Sequence, residues 1–523
     1  MMRWLDGVFK HAAQRPQALA LHFAGLDFTW SDFARRLRQS AGALAAMGVG
    51  RGTRVAYLGF NSHQLVELML APSALGAMAV SLNHRLAEAE LIDIVQDAQP
   101  QVLVVDLAHV AVARRVWAAC PELAHLVVAA LDAADGPEDL PAWEALLQAS
   151  PAPTEADLQA SASASDEALI VFYTSGTTGR PKGVMLSHNN LLANAMAIGP
   201  VMGFGPQDRI LFVGPLFHLG TGGRVFTAVF YGMAMIVQQR FEVLTLAQAV
   251  AEQRVTTMTL VPTMLRMLLD HPEFARFDWS SLRLLTYGAA PMPPALLARA
   301  MAAIAGIAFC QSYGMTEASP VLALLTPEDH VGPPAKLSSV GRPVASADVR
   351  IRDPQGQDLP TGVTGEIVAR GPQIMLGYWR QPEATAAVMQ DGFYRTGDAG
   401  WLDADGHLYV VGRLKEMIIS GGENIYPVEV ENVLSRHPAV AQAAVFGLPD
   451  AHWGEVVHAV VALHAGQTPD APDLIDFVRG QLAHYKAPRH ISVWPEALPL
   501  LPTNKLDKAR LRAHVLAQRE ASA

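Results

Sequence analysis

The sequence predicts an α/β protein: a large N-terminal domain of α/β subdomains plus a small β-rich subdomain, followed by a small α+β C-terminal domain. Three observations predict it. Short apolar runs alternate with helix-period segments early in the chain and again from Arg209 to Ala308, which implies parallel strand–helix–strand units with helices covering the sheet. Near Ser346 the pattern changes to short strands separated by turns, punctuated by Asp353, Pro354, Gly356, Pro360 and Gly362. After Gly412-Arg413 it changes again, to a compact helix–strand–helix unit of about 110 residues, an ordinary domain size.

In order, residues 30–47 place Phe33, Leu37, Ala41 and Leu44 at helical spacing, with Ser31 as the N-cap. Residues 54–59 follow Gly52 as an apolar strand, residues 64–82 read as a helix, and residues 101–105 as another strand. Residues 150–166 are small, polar and proline-containing, and read as a surface loop. A strand at 168–173 follows at once. The β-rich part contributes strands at 349–352 and 365–369. The last unit reads as an amphipathic helix at 428–437, a strand at 440–448 and a helix at 473–483. The basic stretch 505–519 is either a solvated helix face or a contact for phosphates. The domains are therefore set at 1–412 and 416–523, with 413–415 between them.

Composition narrows the function. Of 523 residues, 51% are hydrophobic and 17% charged, enough to bury a large core. The net charge of −10 argues against nucleic acid as the main partner, because a phosphate backbone needs a basic footprint. Cys120 and Cys310 lack metal-ligand spacing and are too few for a disulfide scaffold, so both read as buried thiols in a reducing compartment. The opening residues carry Arg3, Asp6, Lys10 and His11 without an uninterrupted apolar stretch, which argues against a secretory signal. The apolar stretch 69–82 falls short of the roughly 20 residues a membrane helix needs. A cytoplasmic enzyme is expected, with a peripheral membrane contact and a homodimer left open.

The sharpest local feature is Tyr173-Thr174-Ser175-Gly176-Thr177-Thr178-Gly179-Arg180-Pro181-Lys182-Gly183-Val184, directly after a strand. Its glycines let the backbone approach a ligand closely. Thr174, Ser175, Thr177 and Thr178 supply hydroxyl donors, backbone N–H groups around Gly176 can form an anion-binding concavity, and Lys182 adds a point charge. Together these suit a polyphosphate. The loop is not the GxxxxGK[ST] pattern, since Pro181 stands at the place of the second glycine.

This string resembles the signature loop of the adenylate-forming superfamily, which includes acyl-CoA synthetases, peptide-synthetase adenylation domains and luciferases. The resemblance continues in order along most of the chain and is closest to bacterial fatty-acyl-CoA ligases. It implies a role for each motif that follows. In Gln311-Ser312-Tyr313-Gly314-Met315-Thr316-Glu317, Tyr313 and Gly314 would border the adenine, Thr316 the α-phosphate, and Glu317 would hold Mg²⁺. Tyr287-Gly288-Ala289-Ala290-Pro291 resembles the segment along the adenine and the acyl pocket. In Tyr394-Arg395-Thr396-Gly397-Asp398, Asp398 would hold both ribose hydroxyls. Arg413 would also contact ribose or phosphates, and Lys415 would sit at a hinge. Gly421 and Gly422 would border the pantetheine tunnel of coenzyme A. Lys505 would bridge the carboxylate and the α-phosphate; Asn504 precedes it where many members have glycine. His218 would line the acyl pocket, with Gly220, Thr221, Gly222 and Gly223 leaving room for a chain or ring, and Arg224 either facing solvent or meeting a polar group on the substrate.

The implied activity is an AMP-forming acid–thiol ligase using ATP, Mg²⁺ and coenzyme A, with a C-terminal domain that rotates between its two half-reactions. The expected acid is a medium- to long-chain fatty acid, with an aromatic or other bulky carboxylate, or loading of a carrier protein, as alternatives.

Overall fold

The computed structural model describes residues 3–174, 181–450, 452–500 and 506–522. Two large sheets form the N-terminal part. The first runs, edge to edge, Arg342–Pro343, Val321–Leu325, Ala308–Gly314, Leu284–Gly288, Thr257–Leu260, Arg209–Phe212, Ala234–Val237, Leu19–Phe23 and Leu26–Thr29. The second runs Gly377–Tyr378, Lys182–Ser187, Ala168–Thr174, Met78–Leu82, Arg54–Leu58, Val102–Asp106 and His125–Ala129. Both are parallel in the interior; the first is antiparallel toward both edges, the second only toward the Gly377–Tyr378 edge, since His125–Ala129 pairs in parallel. Interior strands such as Met78–Leu82 are buried at every position, as strands covered on both faces must be.

A third, antiparallel sheet joins Asp348–Arg352, Gly365–Arg370, Phe393–Leu402, Met389–Gln390 and Leu408–Arg413. A fourth lies wholly within the C-terminal domain: Glu423–Ile425, Ile418–Ser420, Gly454–Leu463 and Val440–Asp450, with His490–Trp494 added in parallel. The mixed α/β architecture, with a large N-terminal and a small C-terminal domain, is the expected one.

Three local readings are corrected. The first helix after the opening hairpin, Trp30–Ala46, is capped by Thr29 rather than Ser31. Thr29 Oγ1 accepts the Asp32 N–H at 3.1 Å while the Asp32 carboxylate accepts the Thr29 N–H at 3.2 Å, a reciprocal box that outcompetes a lone serine inside the turn. Residues 64–82 are not one helix. The helix His63–Leu70 passes into the short 3₁₀ turn Ala71–Leu75, which contains Pro72; Gly76 turns left-handed at φ 70°, and Met78–Leu82 is a strand. An apolar run buried on all sides carries no period to separate helix from strand. The loop at 150–166 contains the helix Glu155–Ser161, capped by Thr154 and Asp157.

The basic tail forms the helix Lys508–Ser522. Leu511 and Val515 are buried with Phe446, Leu448 and Val456, and Lys508 pairs with Glu431 at 2.7 Å, so this helix is packed onto its domain. Arg266 donates to the Ala441 carbonyl at 2.9 Å, a direct contact between the two domains. Both cysteines are buried. Among the described residues no helix is long and apolar enough to cross a membrane.

Candidate active site

The strand Ala308–Gly314 delivers its motif to the junction with the third sheet. The Tyr313 hydroxyl donates to Asp398 Oδ2 at 2.7 Å. Asp398 sits on Phe393–Leu402 opposite Arg413 on Leu408–Arg413, and the guanidinium meets Asp398 Oδ1 at 2.8 Å. Asp398 is therefore a buried carboxylate held at both oxygens. Burial, reinforced by the Asp398 charge, raises the Tyr313 phenol well above its ordinary range, so it stays a donor. A carboxylate offers about four acceptor directions. This arrangement fits the ribose role that the motifs imply.

A second cluster forms around Tyr378. Its hydroxyl donates to Glu317 Oε1 at 2.9 Å, and the Lys182 ammonium lies 4.9 Å from its ring centroid. Burial and the Glu317 charge raise the Tyr378 phenol, and the same causes raise Tyr394. Glu317, from the second motif, and Lys182, from the end of the phosphate loop, thus share one neighbour. A carboxylate and an ammonium gathered on one tyrosine would suit a metal-bound polyphosphate, the first for the cation and the second for the phosphate oxygens. Tyr378 escaped the sequence reading. It is placed by strand pairing with Val184, and only that pairing marks it.

The backbone is shaped for close approach here. A Cβ on Gly314 would overlap the Pro320 carbonyl oxygen, and one on Gly288 would overlap that of Ser312. Ala289 takes φ 63°, a left-handed conformation that costs an alanine about 1–2 kcal/mol and is kept where the surroundings demand it. Thr316 opens the short 3₁₀ turn Thr316–Ala318, and Thr174 ends its strand opposite Lys182. Ser175, Gly176, Thr177, Thr178 and Lys505 lie outside the described residues.

The other predicted residues are placed by the elements that carry them. His218 is the N-cap of the helix Leu219–Tyr231, with its ring 4.5 Å from that of Phe217. Lys415 is exposed on the single turn Leu414–Glu416. Gly421 and Gly422, at φ 60° and 87°, form the tight turn between Ile418–Ser420 and Glu423–Ile425. A Cβ on Gly421 would come within 2.6 Å of the Trp453 ring, whereas Gly422 faces open space. Arg224, expected either in solvent or against a substrate, is 4% exposed, which removes the solvent reading.

Two features elsewhere do not compete with this site. A cavity of about 690 Å³ lies among Tyr57, Asn61, Asp106, Gln238 and Glu242, and no residue named above for nucleotide binding lines it. Asp403, Asp405 and His407 cluster at metal-ligating distance, but the Lys336 ammonium already sits 2.7 Å from Asp403 and 2.6 Å from Asp405.

Comparison with known proteins agrees with the geometry. The AMP-binding enzyme family matches residues 8–379, and the AMP-binding enzyme C-terminal domain matches residues 429–505. The chain is 38% identical to a feruloyl-CoA synthase of Amycolatopsis sp over 96% of its length and 97% of the relative's. It is 37% identical to an indoleacetate–CoA ligase of Aromatoleum aromaticum over 98% and 97% of the two chains. Among solved structures, the amide bond synthetase McbA of Marinactinospora thermotolerans superposes with a TM-score of 0.88 at 32% identity, covering 98% of this chain and 99% of that one. The o-succinylbenzoate CoA synthetase of Bacillus subtilis, solved with its acyl-adenylate, does so with a TM-score of 0.84 at 32% identity and 98% coverage of each chain; it is also known with ATP and magnesium. The chain belongs to the AMP-binding enzyme family and is an AMP-forming CoA ligase that works with ATP, Mg²⁺ and coenzyme A.

Proposed function

We propose that the acid activated is an aromatic carboxylate. The observation that carries this reading is the 37–38% identity, along nearly the whole chain, to ligases named for ferulate and indoleacetate. The fatty-acid expectation finds support at 33% identity, in a long-chain ligase of Mycobacterium tuberculosis. The aromatic alternative is therefore the one we carry forward.

In the first half-reaction a carboxylate oxygen bonds to the α-phosphorus, and the bond to pyrophosphate breaks. Two anions must meet, so neutralising charge is the main task of the site. Lys182 supplies a cation on the pyrophosphate side, and Lys505 would bridge the attacking carboxylate and the α-phosphate. Glu317 would hold Mg²⁺, which when bound would supply hard positive charge at the phosphates. Thr316 offers a hydroxyl to the α-phosphate. Asp398, held by Tyr313 and Arg413, fixes the ribose and so the line of attack. No general base is needed, because the acid is already ionised at neutral pH. In the second half-reaction the thiol of coenzyme A attacks the acyl carbon and AMP leaves. We assign residues 413–415 as the hinge about which the C-terminal domain turns, exchanging Lys505 for the Gly421–Gly422 turn.

The test is pyrophosphate release from ATP and Mg²⁺ across benzoates, arylpropenoates, arylacetates and fatty acids, with and without coenzyme A. Aromatic acids are expected to give AMP and an aryl-acyl-CoA. Turnover confined to fatty acids would overturn the reading.

A further inference from the structure

The segment 375–379 is tied to two parts of the site at once. On one side the Met375 N–H donates to the Glu317 carbonyl at 2.8 Å. On the other, the Leu376 N–H donates to the Met185 carbonyl at 3.0 Å and the Trp379 N–H to the Gly183 carbonyl at 2.7 Å, so the segment is pinned along the strand Lys182–Ser187. Gly183 allows this close approach: a Cβ there would come within 3.2 Å of Trp379 Cβ. Further bonds fix the segment from outside. Asn190 donates to the carbonyls of Pro372 and Ile374, each at 2.8 Å. Thr385 Oγ1 accepts the Tyr378 N–H at 2.9 Å, and the Trp379 indole donates to the Asp97 carbonyl at 3.1 Å.

The side chain this strap carries into the site is Tyr378. It is 5% exposed, whereas Glu317 and Lys182 are only half-buried. Its hydroxyl donates to Glu317 Oε1 at 2.9 Å, and among the described residues no other group hydrogen-bonds or pairs with that carboxylate. A carboxylate held at one oxygen keeps the other for a cation, and groups that hold a metal ligand in this way set both its orientation and the affinity for the metal. The ring of the same tyrosine faces the Lys182 ammonium at 4.9 Å, a cation–π contact. Hydroxyl and ring therefore act on different partners, and a substitution can remove one without the other.

We propose that Tyr378 is a positioning residue for adenylation: the strap 375–379 fixes its hydroxyl, the hydroxyl fixes Glu317 Oε1, and Oε2 is left for Mg²⁺. This rests on the reading of Glu317 as the metal ligand and goes beyond it by naming the residue through which the strand Lys182–Ser187 and the metal carboxylate are held in register.

The experiment is calorimetric titration of ATP into the full-length protein with no acid present, in excess EDTA and at a series of Mg²⁺ concentrations. Wild type should bind ATP at least about tenfold more tightly once Mg²⁺ is added, the lower end of what a metal ligand's hydrogen-bond partner can contribute. Tyr378→Phe keeps the ring and loses the hydroxyl. Its affinity in EDTA should stay within about twofold of wild type, while most of the gain from Mg²⁺ disappears, a change of about tenfold. Tyr378→Leu should lose that gain too and, without the ring, also bind ATP about three- to tenfold more weakly in EDTA. Glu317→Gln should lose the gain, and adding Tyr378→Phe to it should lower the affinity no further, as expected for two residues acting as one unit. In pyrophosphate release, Tyr378→Phe should raise the Mg²⁺ concentration needed for half-maximal rate and leave the KM for the acid unchanged.

A Tyr378→Phe protein that keeps the wild-type gain while Glu317→Gln loses it would overturn the proposal alone. So would a loss of equal size in EDTA and in Mg²⁺, the mark of a purely structural role. Should Tyr378→Leu fail to fold, Tyr378→Phe and the double variant decide. Failure of the underlying reading looks different: Glu317→Gln keeps the full gain, and the proposal falls together with the metal role of Glu317.

Discussion

Asp398 is held in place by what touches it. Tyr313 and Arg413 take one oxygen each, and the phenol remains protonated because it is buried beside that charge. Removing the charge should therefore matter more than removing one of its holders. Asp398→Asn is expected to raise the KM for ATP by roughly 10–100-fold, since hydrogen bonds to a charged group contribute about 1.5–3 kcal/mol. Tyr313→Phe keeps the ring and loses only the hydroxyl, so its effect should stay within about tenfold. Initial-rate kinetics with varied ATP checks both, and equal losses would mean that the hydroxyl, not the carboxylate, holds the nucleotide.

Elements decide which of these residues can meet. The pairing of Gly377–Tyr378 with Lys182–Ser187 is what sets a tyrosine between Lys182 and Glu317. The turn at Gly421–Gly422 needs two successive left-handed residues, the geometry of a tight hairpin, and Trp453 closes the space beside the first. Gly421→Ala would strain that turn by about 1–2 kcal/mol and push against Trp453. It is expected to slow CoA-ester formation from preformed acyl-adenylate while leaving adenylation within about twofold. Lys505→Ala is expected to do the reverse. Separate assays of the two half-reactions check this, and equal losses in both steps would count against the turning domain.

Buried imidazoles set how the whole molecule responds to acid. His84, His188 and His458 each titrate near 4 because burial disfavours the charged ring. The unfolded chain takes up those protons near 6.5. Stability is thus complete above about pH 6.5 and falls as the pH drops toward 4, by roughly 2–3 kcal/mol for one buried imidazole. His188 is the clearest case: it is 1% exposed, and its Nδ1 accepts the Trp4 N–H at 3.4 Å, joining the first helix to the helix His188–Met202. Melting temperature should fall between pH 7 and 4.5, and His188→Gln should flatten part of that slope. A melting temperature constant over this range would refute the assignment.

The sequence by itself determined the order of the chemistry. Its phosphate loop, the Tyr313–Glu317 motif, Asp398, Arg413 and the paired glycines stand on local strings, and the resemblance of those strings carries the roles proposed for them. It also determined the α/β class, because strand and helix periods alternate along the chain. Only the tertiary structure decided what the periods could not carry. The run 64–82 breaks into helix, turn and strand because a segment buried all round shows no face. Tyr378 joins the site through a strand pair between distant segments, and Arg224 proves to be an interior cation. Burial and pairing are properties of the packed chain, and no local pattern encodes them.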